Sequence, residues 1–168
     1  MSPHVRTVFA SVLMLAGAVV PGLGQTTQPK ITPKLEPIAE TRLLMEGLAH
    51  PNFRGLERNL TKHPIDDQTW LFARGQALLI AETGNLLMLR PPKTPNSQPT
   101  WFGHAMDLRT QSMALAQHLG KKDLERSKAA MQQLANSCNR CHTSFRVNVE
   151  IVPFQQPEPP PIRKVSLE

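Results

Sequence analysis

The chain has 168 residues, with 19 Lys or Arg and 13 Asp or Glu, and a formal net charge of +6. A basic balance of this size suits docking on an acidic protein or an anionic surface, but no basic run is interleaved with aromatics, which argues against nucleic-acid binding. No segment resembles a catalytic triad, a phosphate-binding loop or a pair of catalytic carboxylates, so we do not expect an ordinary enzyme.

Residues 1–24 have the pattern of a signal peptide. Arg6 supplies a positive charge, Val8–Val20 is a run of apolar and small residues, and small residues precede Gln25, the expected mature start. The run is too short for a comfortable transmembrane helix, which needs about 20 apolar residues, although an uncleaved anchor is the alternative. We therefore expect a cleaved signal, a periplasmic location and one domain in the remainder.

Helical patterns fill the region between a flexible lead, residues 25–35, and a proline-rich tail, residues 151–168. The predicted helices are A over residues 36–61, B over 67–89, C over 100–119 and D over 122–149. Pro51 should kink or split helix A, because proline removes a backbone donor and clashes one turn back. Asp66 or Asp67 can cap helix B, and Gly120 is a natural stop for helix C.

Each predicted helix carries a stripe of residues spaced for packing. The stripes are Ile38, Arg42, Met45, Ala49, Leu56 and Leu60 in A; Trp70, Ala73, Ala77, Ile80, Gly84 and Leu87 in B; Trp101, Ala105, Leu108, Ser112, Leu115 and Leu119 in C; and Leu124, Met131, Leu134, Cys138, Cys141 and Phe145 in D. Four amphipathic helices with short connections predict an all-α, antiparallel, up-down-up-down four-helix bundle for residues 36–150.

The only two cysteines form the motif Cys138-Asn139-Arg140-Cys141-His142. Two cysteines three positions apart, followed by histidine, are the attachment pattern of c-type haem: each thiol adds to one vinyl group, and the imidazole ligates iron. A thioredoxin-like pair normally lies near a βαβ pattern, which is missing here, and a structural zinc site would need ligands from a distant histidine. We therefore expect one covalent haem c per chain.

The run from Cys138 to Arg146 resembles the Cys-x-x-Cys-His-x-x-aromatic-Arg signature of the cytochrome c′ family, including its six-coordinate relatives of the cytochrome c-556 type. The resemblance implies that Cys138 and Cys141 hold the haem, that His142 is the proximal iron ligand and that Arg146 flanks the proximal face. It also implies a distal residue from early helix A, and the candidates are Leu44, Met45 and Leu48. The family often has an arginine near that residue, and Arg42 is the candidate for it. Family members often form dimers through helices A and B.

The residue opposite His142 decides the expected function. Met45 as a sixth ligand suits electron transfer with a redox partner protein, because a thioether raises the reduction potential. A leucine over the iron leaves room for nitric oxide or carbon monoxide. The alternative is a haem enzyme with peroxidase-like or nitric-oxide-reducing activity, for which His50 is the nearby acid or base. A third hypothesis is a haem-sensing or structural module whose tail binds a partner.

Overall fold

The computed structural model describes residues 34–62 and 66–154, and the predictions of a signal peptide over residues 1–24 and of most of the lead and the tail lie outside these ranges. Within these ranges the chain is helical and contains no strand. The α-helices are α1 (Thr41–Leu44), α2 (His50–Thr61), α3 (Asp67–Met88), α4 (Gln98–Gly120) and α5 (Leu124–Ser144). A π-helical turn, Met45–Ala49, joins α1 to α2, so the described chain forms four long helical stretches, as predicted. None of its helices is long and apolar enough to cross a membrane.

The first helical stretch begins later than predicted, and its irregularity is a π-helical turn rather than a break at Pro51. Glu40 is extended and precedes α1, so Ile38 lies outside the helix and is 92% exposed. Pro51 does not end the helix; the π-helical turn ends just before His50, and the proline lies in the first turn of α2, where its missing N–H is tolerated. The wider turn also shifts the packing stripe, so that Leu44 and Phe53 are buried together with the predicted Leu56 and Leu60.

Helix α3 has the predicted start and the predicted buried face. The Asp66 side chain accepts a hydrogen bond of 2.7 Å from the backbone N–H of Thr69, which satisfies one of the free donors at the helix start. Hydrogen bonding from the Thr69 side chain, together with this backbone bond, lowers the pKa of the Asp66 carboxyl. The six stripe residues predicted for helix B are all buried. The helix ends at Met88, three residues before Pro91.

The ends of α4 and α5 share one turn geometry that the sequence did not reveal. Lys122 and Arg146 have φ values of 56° and 55°, and each follows the end of a helix by two residues. At the end of α5, Val147 N–H donates to His142 O at 2.8 Å and Arg146 N–H donates to Thr143 O at 3.3 Å, which is a Schellman motif. The positive φ therefore falls on Lys122 rather than on Gly120, and α5 ends at Ser144 rather than at Val149.

The four helical stretches enclose one apolar core. Consecutive stretches pack against each other, with the largest contact between α3 and α4 and a small one between α2 and α5. The core members with full burial include Leu56, Leu60, Leu115, Leu119, Met131 and Leu134. Gly84 allows α3 and α4 to approach closely, because a Cβ atom there would lie 2.8 Å from the carbonyl oxygen of Ala105.

Several contacts fix which helix ends lie together. Trp101, early in α4, donates from Nε1 to the carbonyl oxygen of Leu87, late in α3, at 2.8 Å. At the other end of the same two helices, Lys122 Nζ lies 2.7 Å from Asp67 Oδ1. Arg140, late in α5, pairs with Asp107, in the first half of α4.

Candidate haem site

The motif Cys138–His142 lies in the last two turns of α5, with Cys138 on the side of the helix that faces the core. Cys138 packs against the buried cluster, and both cysteines are free thiols and partly buried. The opposite face of α5 carries Asn136, Arg140 and Thr143, which together with His104 line an open groove of about 620 Å³. Helical periodicity therefore directs the two sulfurs towards the bundle and away from this groove.

One nitrogen of the His142 imidazole forms a hydrogen bond with the backbone. Its Nδ1 atom lies 2.8 Å from the carbonyl oxygen of Val149. A carbonyl only accepts hydrogen bonds, so the pairing assigns the ring proton to Nδ1 and leaves the lone pair on Nε2. A backbone carbonyl on the far nitrogen is the usual arrangement of a metal-ligating histidine, because it fixes the tautomer and the ring orientation.

The thiols do not have the character of a redox dithiol. Burial, together with the neighbouring Cys141, raises the pKa of Cys138 to about 12, and burial also raises the pKa of Cys141. Redox-active Cys-x-x-Cys pairs need the opposite shift, because the thiolate is the reactive form. The described residues also contain no group of three or more His, Cys, Asp or Glu side chains that could hold a metal ion. The raised pKa values argue against a redox-active pair, and Cys138, Cys141 and His142 are the donor types that covalent haem requires.

Two of the three predicted distal residues lie on the rim of the same core. Met45 and Leu48 are partly buried and pack against the cluster that Cys138 also contacts. Leu44, in contrast, is only 7% exposed and is part of the core itself. Met45 and Leu48 both belong to the π-helical turn, a local geometry that is frequent at functional sites.

Two predicted site residues, Arg42 and Arg146, and the candidate acid or base, His50, occupy exposed positions. The Arg42 side chain is 82% exposed, and its Nε donates to Glu46 Oε1 at 2.8 Å. Arg146 is exposed and occupies the left-handed turn after α5. His50 is also exposed, directly after the π-helical turn.

Aromatic side chains close the end of the bundle next to the motif. The ring centroids of Trp101 and Phe145 lie 5.2 Å apart in an edge-to-face arrangement, which is a favourable geometry for such a pair. Because Trp101 also donates to Leu87, its ring is held from two sides. The pair ties the start of α4 to the residue that follows α5.

Sequence reasoning missed the residues that hold the segment after α5. Asn139 stands at a variable position inside the motif, yet its side chain makes two hydrogen bonds to the backbone of Ile151. Glu57 accepts from the backbone N–H of Phe154 across 97 positions of sequence. Neither contact has a local sequence signal.

Comparison with known proteins identifies one family. The family model described as Cytochrome C' matches residues 96–146, which include α4, α5 and the whole Cys138–His142 motif. Over these residues the chain is similar to the cytochrome c′ family, the family that the sequence resemblance predicted. No curated protein and no solved structure matches the chain.

Proposed function

We propose that this protein is an exported, periplasmic cytochrome that carries electrons on one covalently bound haem c. The observation that carries the proposal is the hydrogen bond between His142 Nδ1 and Val149 O, since it presents Nε2 as a ligand beside two free cysteines. The family match supports haem binding independently of that geometry.

The proposed scaffold is an antiparallel, up-down-up-down bundle. In support, the end of α3 contacts the start of α4 through Leu87 and Trp101, while the start of α3 contacts the end of α4 through Asp67 and Lys122. The hydrogen bond between His104 in α4 and Ser144 in α5 pairs an early residue with a late one. An antiparallel order places the end of α5 beside the start of the first helical stretch, and so brings the motif and the π-helical turn to one end.

The chain's own residues divide the work of holding the cofactor. Cys138 and Cys141 would form the two thioether bonds, and His142 Nε2 would be the proximal ligand. The apolar side chains of Leu44, Leu48 and Trp101 exclude water from that end of the core. When bound, haem iron supplies a one-electron couple between its ferric and ferrous states.

Met45 is the residue we assign to the sixth position. Among Leu44, Met45 and Leu48 it alone has a donor atom, and it is partly buried rather than part of the sealed core. A thioether favours the ferrous state and a raised potential, which suits electron transfer. The net positive charge favours an acidic redox partner.

Binding of a small gas is the second candidate, and the position of Leu48 favours it. Leu48 packs on the same core rim as Met45, so a leucine is available to cover an open coordination position. An enzymatic role would need an acid or base beside the iron, and His50, the candidate for it, is exposed.

The absorption spectrum of the purified protein, oxidised and reduced, with and without carbon monoxide, separates these candidates. We expect a low-spin spectrum that does not respond to carbon monoxide, because Met45 fills the sixth position. A high-spin spectrum that shifts with carbon monoxide would reject Met45 ligation and leave gas binding. A protein without haem absorption after export would reject both.

A further inference from the structure

The segment after α5, residues 147–154, folds back along the helix instead of leaving the bundle; we call it the strap. The left-handed Arg146 reverses the chain direction. Val149 then lies against His142, and Ile151 lies against Asn139, so the strap runs towards the beginning of α5. Residues 151–168 were predicted to be a proline-rich tail outside the bundle. The strap differs from that prediction, because Ile151–Phe154 contact the helices.

Asn139 anchors the middle of the strap with both atoms of its amide. Its Oδ1 accepts from Ile151 N–H at 2.8 Å, and its Nδ2 donates to Ile151 O at 2.8 Å. The backbone partners fix the amide orientation, because an N–H only donates and a carbonyl only accepts. A side-chain amide supplies one donor and one acceptor to a single residue, which neither a carboxylate nor an apolar side chain can do.

Glu57 anchors the end of the strap from a different helix. It is 8% exposed, and its Oε1 accepts from Phe154 N–H at 2.5 Å while its Oε2 accepts from Arg54 Nη1 at 2.6 Å. The side chains of Ile151 and Phe154 pack against the core on either side of the buried Pro153. The strap is thus held at two points by polar groups and between them by apolar contact.

The carbonyl of Val149 lies between the helix end and these anchors, and it is the group that accepts from His142 Nδ1. We propose that Asn139 and Glu57 are positioning residues that act through the strap to hold this carbonyl on His142. A fixed acceptor on Nδ1 raises the basicity of the ligating nitrogen and so favours the ferric state. This inference rests on the proposed haem function and adds a determinant of its reduction potential.

The test compares Asn139→Ala with Asn136→Ala in the haem-loaded protein. Asn136 is a matched control, because it is an exposed amide one turn earlier in α5 whose bond, of 3.4 Å, is to Gln132. Intact mass confirms haem loading, and spectroelectrochemistry gives the potential. We expect both variants to keep covalent haem, and the potential to rise in Asn139→Ala and to stay at the wild-type value in Asn136→Ala. An unchanged potential in loaded Asn139→Ala would overturn the inference while leaving the proposed function intact.

A measurement on the wild-type holoprotein covers the case in which Asn139→Ala fails to fold. Hydrogen exchange followed by NMR should show the Ile151 amide and the His142 Nδ1 proton exchanging more slowly than the amides of exposed turns, because both are bonded within an anchored segment. Exchange of both protons at the rate of an unstructured peptide would refute the strap. Wild-type protein that carries no haem would instead refute the proposed function.

Discussion

At the scale of single residues, the proposed function depends on two proposed iron ligands, His142 on the proximal side and Met45 on the distal side. The bond to the Val149 carbonyl assigns the His142 proton to Nδ1, which leaves Nε2 available as the proposed proximal ligand. The distal side depends on which side chain of a short turn lies nearest the cofactor. Met45 is the only candidate with a thioether, so its substitution distinguishes a protein that transfers electrons from one that binds a gas.

Met45→Leu tests the sixth ligand. Leucine has nearly the volume of methionine but no sulfur, so the bundle should fold and load haem while the iron loses its distal donor. We expect the low-spin spectrum of the wild type to become high-spin and to shift on addition of carbon monoxide.

Met88→Leu is the matched control, since Met88 is another partly buried methionine on the same core. It should keep the wild-type spectrum. A Met45→Leu spectrum identical to the wild type would show that Met45 does not bind iron, and a change in Met88→Leu alone would move the assignment to α3.

At the scale of helices, the contact between α3 and α4 depends on Gly84. The packing stripe predicted for helix B includes this glycine, but no special role was predicted for it. A Cβ atom at Gly84 would meet three atoms of α4 at or below 3.0 Å, two of which are backbone atoms. Gly75 lies in the same helix, and a Cβ atom there would meet nothing within 4 Å. The two glycines therefore separate helix propensity from helix packing.

Gly84→Ala should destabilise the protein although alanine is the better helix former. The clash with the α4 backbone costs about 1–3 kcal/mol, as overpacking of a core usually does, and outweighs the gain in propensity. Gly75→Ala should stabilise it by about 1 kcal/mol, because only the propensity changes. Chemical unfolding followed by circular dichroism measures both; equal shifts of the two variants in the stabilising direction would show that α3 and α4 do not approach closely.

Helix bodies and most helix ends were predictable from the sequence, whereas the start of the first stretch and the end of α5 were not. The stripes of α3 and α4 follow from apolar residues three and four positions apart, and burial in the structure matches them. The end of α5 was misplaced, because the left-handed turn is formed by Arg146, whereas the usual signal for such a turn is glycine or asparagine. The first stripe was misplaced in its early half, because a π-helical turn shifts the register and no residue pattern announces it.

At the scale of the whole molecule, the site combines local and distant residues. Cys138, Cys141 and His142 enter the proposed site from the sequence alone, because their spacing along one helix is itself the chemical signal. The strap was not, because Glu57 and Phe154 meet across 97 positions and an Asn139 amide has no pattern that marks it. The proposed site therefore uses residues from both ends of the described chain: Met45 in the π-helical turn and Val149 in the strap.

The charge and the expected signal peptide also belong to this scale. Residues 1–24, outside the described ranges, should be removed on export, which leaves a basic chain that begins at Gln25. The attachment of haem and the removal of the signal each change the mass of the polypeptide by a defined amount. One measurement on the exported protein therefore reports both.

The intact mass of the protein, recovered from a bacterial periplasm and denatured before analysis, tests the central claim most directly. We predict the mass of residues 25–168 plus one haem, and in a Cys138→Ser, Cys141→Ser variant the mass of the same residues alone. Denaturation removes a haem that is only coordinated, so the added mass reports the thioether bonds. A wild-type protein with the mass of the bare polypeptide would contradict the account.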